Sequence, residues 1–242
     1  MTYAISNMHY FYYPWEFFLE SSKKIGFTEI DVYGCMPHIW IDHRCHTGAI
    51  ELKESVAKYD LKPVVFTPKN YNYCVYAPVE EHFLFSERYY HNCIDFAATA
   101  SIKNIIVSLP ENYCDHDEKL LFKNAVSALR RLCAYASEKK VKLLIETSKC
   151  NFLSSIDDME SLIKALNYPI AGISLNMEHI KQAEESITLW LNRFGERIKY
   201  VKVADRDEKA ELELSGYKGK KGIFVPDDNL WDDPVKASGL LL

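Results

Sequence analysis

Glu146 closes the run Val141-Lys-Leu-Leu-Ile-Glu146, and a carboxylate at the end of an otherwise apolar, buried segment needs a reason to be there. Such a group can hold a cation or move a proton. Asn176 closes the next comparable run and is followed by Glu178 and His179, a pattern that serves either a polar ligand shell or a helix cap. Lys202 alternates with Val201 and Val203, so in an extended chain it faces away from both. Asp205 and Asp207 follow it in what reads as a solvated loop. Upstream, His9 follows the first apolar run. The segment from Cys35 to His46 then places Cys35, His38, Asp42, His43, Cys45 and His46 close together. Structural zinc sites pair two such knuckles, and His38-x4-His43 supplies one half with no second pair after it. A substrate-facing loop with His38 at its base is the better reading.

The elements that must position these residues repeat in a simple order. Short runs rich in Val and Ile at 3–8, 28–33, 62–67, 103–108, 141–146, 170–175 and 198–203 read as buried parallel strands. Between them lie helix-length stretches at 14–25, 50–59, 79–100, 118–139, 156–166 and 183–194. Gly26 and Gly195 stand as stops, and Ser155 with Asp158 has the spacing of a capping box. Seven β/α units of roughly 30 residues predict a TIM-type barrel of the α/β class, since no G-x-G-x-x-G turn follows the first strand. Residues 1–242 show no linker and are read as one domain. After position 207 the only strand-like run is Gly222-Ile-Phe-Val-Pro226. The eighth unit is therefore expected to be truncated or incomplete, with residues 222–242 or a second copy in a homodimer covering the open edge.

Composition narrows the function classes. With 242 residues, 48% hydrophobic and 26% charged, the chain is of ordinary globular make-up. A net charge of −5 disfavours nucleic acid as a partner, because such binding draws on clustered Lys and Arg. No run is long and apolar enough to cross a membrane, and the N-terminus has no signal-peptide pattern, so no membrane partner is expected. Seven scattered cysteines without a C-x-x-C pair suit reduced thiols in the cytoplasm. The 16 Tyr, 12 Phe and 4 Trp, crowded at Tyr10 to Tyr13 and Trp15, suit core and rim packing and also stack well on sugar rings.

Four segments carry a resemblance. Gly26-Phe-Thr-Glu-Ile-Asp-Val-Tyr-Gly34 with Pro37-His38, Leu61-x-Pro-Val-Val-Phe-Thr67-Pro68, Leu144-Ile-Glu146, and Tyr200-Val-Lys-Val-Ala-Asp205 resemble, in that order, the sugar isomerase/epimerase family of xylose-isomerase-like barrels. Within it the likeness is nearest to the fructoselysine 3-epimerases. The resemblance implies carbohydrate metabolism, a small-molecule sugar as partner, and a divalent metal such as Mn²⁺ held by Glu, Asp, His and Glu on strands five to eight. It also implies proton transfer beside the sugar carbonyl. Carried over, Glu146 matches the first ligand, while the Asp position holds Asn176 and the His position holds Lys202. The last Glu has no counterpart. His9, His38 and His179 match positions that line the family's pocket and bind substrate. Glu146 and Asn176 are thus the candidate metal residues, and Glu146 and Lys202 the candidate catalytic pair. A hard cation is repelled by an ammonium, so no tightly bound metal is expected. Two functions remain open: an isomerase or epimerase, and a non-catalytic relative that binds sugar without turnover. In either case a Glu146–Lys202 ion pair, with Asn176 hydrogen-bonded to it, is expected where the family places its metal.

Overall fold

The computed structural model describes residues 3–43, 45–69, 73–110, 117–148, 153–168, 171–225 and 231–240. Eight strands close into a barrel in chain order. They are β1 (Tyr3–Ser6), β2 (Glu29–Gly34), β3 (Lys62–Pro68), β4 (Asn104–Val107), β5 (Lys142–Glu146), β6 (Gly172–Asn176), β7 (Ile198–Val203) and β8 (Lys220–Ile223). Every pairing is parallel, including β8 with both β7 and β1. Around them lie α1 (Trp15–Ile25), α2 (Cys45–Lys58), α3 (Glu80–Thr99), α4 (Glu118–Glu138), α5 (Ile156–Leu166), α6 (Met177–Gln182), α7 (Ile187–Phe194), α8 (Arg206–Leu214) and α9 (Pro234–Leu240).

Local chemistry explains where these elements start and stop. Gly26 ends α1 at φ 106°, a left-handed conformation that a Cβ would resist. Ser155 and Asp158 form the capping box reciprocally, with Asp in the role usually taken by Glu. The helix α4 buries Leu121, Ala125, Ala128, Leu129, Leu132 and Ala136, one stripe of a 3.6-residue period turned to the sheet. Inside the barrel, Ala4, Val64, Val65, Ile106, Leu144 and Tyr200 form a separate buried layer below the mouth.

Two expectations need correction. The barrel is not open: Lys220–Ile223 supplies the eighth strand, and a short helix, Pro234–Leu240, follows it. The unit is shortened, with a strand of 4 residues, but strands one and seven both find their partner in it. The argument for a dimer from an unpaired edge therefore lapses. The helix expected over 183–194 starts only at Ile187. Glu185 lies between α6 and α7, and its carboxylate accepts from the Ile156 amide at 3.0 Å and from Trp190 Nε1 at 2.7 Å. Those two bonds tie down the break, and Ser186 caps the helix that restarts after it.

Candidate functional site

The strand ends converge on a cavity of about 140 Å³ at the C-terminal mouth of the barrel. All eight strands or the residues just after them contribute: Ser6, Asp31, Thr67, Ser108, Glu146, Asn176, Lys202 and Phe224. This is the end of the fold where barrel enzymes carry their chemistry. Glu146 and Lys202 meet there as an ion pair, Nζ to Oε1 at 2.7 Å, with both side chains less than a tenth exposed. Ser108 donates to the other carboxylate oxygen, Oε2, at 2.5 Å. Among the described residues the ammonium is the only polar partner of Oε1.

The electrostatics follow from this geometry. Burial pushes the Glu146 carboxyl up, but the Lys202 ammonium, the Ser108 hydroxyl and His179 outweigh it and hold the group below the ordinary carboxylate range. Glu146 is ionised at neutral pH. Asp31, on the opposite arc of the barrel, goes the other way. Burial raises it, and the attraction of Lys202 with hydrogen bonds from Thr67 and Tyr200 only partly opposes that. Thr67 Oγ1 donates to Oδ1 at 2.7 Å and the Tyr200 hydroxyl to Oδ2 at 3.1 Å. A Cβ at Gly222, which faces Lys202 in register, would collide with the Tyr200 hydroxyl. Only glycine there lets the ring cross the barrel to reach Asp31.

Asn176 lines the cavity, but its side chain does not bond to the ion pair. Its Oδ1 accepts from the Glu178 amide at 3.1 Å and caps α6, so the capping reading of this residue is the one observed. The backbone amide of Asn176 donates to Thr147 Oγ1, which fixes the end of β6 against β5.

None of the three histidines lines this cavity. His9 is fully buried, pushed down to about 3 by burial, and its Nε2 donates to Ser238 Oγ on α9 at 2.8 Å. His38 has both nitrogens engaged, Nε2 donating to the Tyr13 carbonyl at 2.8 Å and Nδ1 accepting from Asn7 Nδ2 at 3.1 Å. It lines a separate cavity of about 650 Å³ beside α1 and α2, which shares no residue with the mouth. His179 donates from Nδ1 to the Thr147 carbonyl at 2.6 Å, just past the end of β5. Asp205 caps α8 through the Glu208 amide, and Asp207 lies within that helix. Asp205 is thus an exposed residue of the connection before α8, as read, whereas Asp207 is helical. The loop expected to be substrate-facing therefore holds a packed histidine. Cys45 begins α2, which shortens it.

A model of the family described as xylose isomerase-like TIM barrel matches residues 19–227. The chain belongs to that family. Solved structures share the fold: the D-psicose 3-epimerase of Clostridium cellulolyticum H10 is similar at 14% identity and TM-score 0.79 over 100% of this chain and 96% of that one. The 3-keto-D-glucoside 4-epimerase YcjR of E. coli is similar at 14% identity and TM-score 0.80, covering 100% and 98%. The IolI protein, solved with a zinc atom, is similar at 13% identity and TM-score 0.77, covering 99% and 95%. A search of curated protein sequences finds no match.

Against the metal-binding pattern that the family resemblance implies, the donor set here does not fit. The mouth positions of β5 to β8 carry a carboxylate, a capping amide, an ammonium and then Gly222 with Phe224. The described residues hold no group of three or more His, Cys, Asp or Glu able to enclose an ion. At Glu146 the position a cation would take is filled by the Lys202 ammonium, which repels a divalent charge. Among the described residues no helix is long and apolar enough to cross a membrane.

Asp31 and Asn7 escaped the reading of the sequence. Asp31 sits mid-strand in Glu-Ile-Asp-Val-Tyr, and its signal was alternation: Ile30 and Val32 face the helices, which leaves the acid facing inward. Asn7, fully buried, bonds both the amide and the carbonyl of Tyr33 and holds His38. No local pattern distinguishes it from any other Asn after a strand.

Proposed function

We propose that the protein is a sugar isomerase or epimerase that works without a divalent ion at the strand-five carboxylate. It moves a proton at the carbon beside the carbonyl of a ketose-type sugar, in the cytoplasm. The observation that carries this reading is the Glu146–Lys202 pair, buried in a hydroxyl-lined cavity at the mouth of a barrel of this family. The cavity has the volume of about five waters of the liquid, enough for the reacting end of a sugar with the remainder turned outward. Ser6, Thr67 and Ser108 offer hydroxyls to it.

The chemistry follows from an exchange of partners. In the resting site the ammonium holds Glu146 ionised but makes it a weak base. A carbonyl oxygen entering the cavity draws Lys202 to itself. The ammonium then stabilises the negative charge that develops on that oxygen as the enediolate forms. Glu146, released from its cation, regains basicity and takes the proton from the adjacent carbon. Return of the proton to the neighbouring carbon isomerises the sugar, and return to the opposite face epimerises it.

The test is incubation in D₂O, after chelator treatment, with D-fructose, D-psicose, L-ribulose and fructoselysine, read by NMR. Deuterium uptake beside the carbonyl is expected, and Glu146→Gln should slow it by about 10²-fold or more. Loss of exchange on chelation, restored by Mn²⁺, overturns metal-free action. One observation favours the rival reading of a sugar binder without turnover: among the described residues β8 and the position after it bring Gly222 and Phe224, and no carboxylate, to the mouth. No exchange with any sugar, together with saturable binding, would establish that reading.

A further inference from the structure

We infer that Asp31 is the second proton-transfer residue of the site, standing opposite Glu146 and returning the proton to the other face of the substrate carbon. The inference rests on the isomerase/epimerase reading and names the group that reading lacks. Asp31 and Glu146 line the same cavity from β2 and β5, which lie three strands apart around the barrel. A planar enediolate between them presents one face to each.

Asp31 has no ordinary structural excuse. A carboxyl this deep costs several kcal/mol to desolvate, and an apolar residue would fill the space without that cost. The chain instead supports it with Thr67 and Tyr200, and it keeps Gly222 on β8 so that the Tyr200 ring fits. Both partners are hydroxyls, able to donate or accept, so the network tolerates either protonation state of the acid.

Charge counting assigns the roles. Facing Asp31 are Tyr33 from β2, Glu146 from β5, and Tyr200 and Lys202 from β7, while β1, β3 and β8 present Ser6, Thr67, Gly222 and Phe224. One ammonium thus stands between two carboxyl groups, and it touches Glu146. A single cation compensates a single buried carboxylate, so the other carboxyl carries a proton. Divergent environments for two carboxyl groups are the pattern of an acid and a base sharing one site.

The step balances. The C–H electron pair of the substrate forms the enediolate double bond as the carbonyl π pair moves to oxygen, and the leaving proton binds Glu146. Collapse of the enediolate takes the Asp31 proton onto the opposite face of the same carbon. Inverted sugar, protonated Glu146 and ionised Asp31 result, and exchange with water resets both groups.

The experiment follows exchange and inversion together, in D₂O with D-fructose and L-ribulose as probes, by NMR and by chromatographic separation of epimers. In the wild type both are expected. Asp31→Asn should retain exchange, because Glu146 still removes and returns a proton on its own face, while inversion falls about 10²-fold. Tyr200→Phe, which keeps the carboxyl and removes one hydrogen bond, should reduce inversion less. Circular dichroism checks that both variants fold. Infrared difference spectra should show a protonated carboxyl band in the wild type at neutral pH that Asp31→Asn removes. Exchange with unaltered inversion in Asp31→Asn, or a wild type without that band, overturns the role of Asp31 and leaves the functional reading standing. A wild type without exchange on these two sugars and on D-psicose and fructoselysine overturns both.

Discussion

Among the described residues two Glu–Lys pairs join strands of the barrel, one at each end of it. At the N-terminal rim Glu29 of β2 pairs with Lys220 of β8, across the start of β1; the lysine side chain is 46% exposed and the glutamate 11%. At the mouth Glu146 pairs with Lys202, and their side chains are 8% and 9% exposed. The same two residue types thus give a pair with its lysine in water in one place and a pair dry on both sides in the other. At the rim the solvated lysine screens part of the attraction although Glu29 is buried, whereas at the mouth both charges depend on their partner. Chemistry belongs where a charge has nowhere else to go.

Removing one partner at the mouth gives the largest effect. Lys202→Met strands the Glu146 carboxylate and should destabilise the fold by about 3–5 kcal/mol, measured by urea unfolding. The double variant Glu146→Gln with Lys202→Met should recover most of that loss, because no unpaired charge remains. A single variant as stable as the wild type would mean that water already enters the pair.

The second effect is a pH dependence. The folded state holds Glu146 below its unfolded value. Its contribution to stability is therefore full above the unfolded carboxylate range and disappears as pH falls through the folded value. Glu146→Gln should flatten the acid limb of a stability–pH curve. Asp31, held above its unfolded value, has the opposite sign. Its contribution is present in acid and lost as pH rises through the folded value, so Asp31→Asn should flatten the other limb. Unfolding midpoints measured from pH 3 upward separate the two.

The smallest effect is expected at the rim. Lys220→Met should cost less than Lys202→Met, about 1–2 kcal/mol, because the lysine it removes is half in water while the Glu29 carboxylate it leaves is largely buried. A loss equal to that of Lys202→Met would end the distinction between the two pairs.

The same contrast explains what could be read from the residues alone. Strands one to seven were legible because parallel strands buried on both faces are runs of Val and Ile, as in Ile105-Ile-Val107 and Leu143-Leu-Ile145. The eighth, Lys220-Lys-Gly-Ile223, is half charged. It is a strand because two neighbours pair with it, so tertiary pairing overrides a weak local signal. Glu146 and Lys202 were legible as charges in apolar strands. The partners of the histidines were not legible: that of His9 is Ser238, 229 residues away, and no local spacing reports it. Asp31 was not legible because it lies in the middle of β2 rather than at a strand end, and the mouth reaches down to it.

The pairing of β1 with β8 also sets an order of events during synthesis. Tyr3–Ser6 leaves the ribosome well before its second neighbour, Lys220–Ile223, which is the last of the eight strands to be made. Until then one edge of β1 has its backbone donors and acceptors unpaired, the exposure that invites association between nascent chains. The late strand brings Gly222, against which Tyr200 must settle to reach Asp31. Closing the barrel and completing the polar site are therefore one event. A chain halted before β8 would carry seven strands and Glu146, Lys202 and Asp31 in its sequence, yet have no finished pocket.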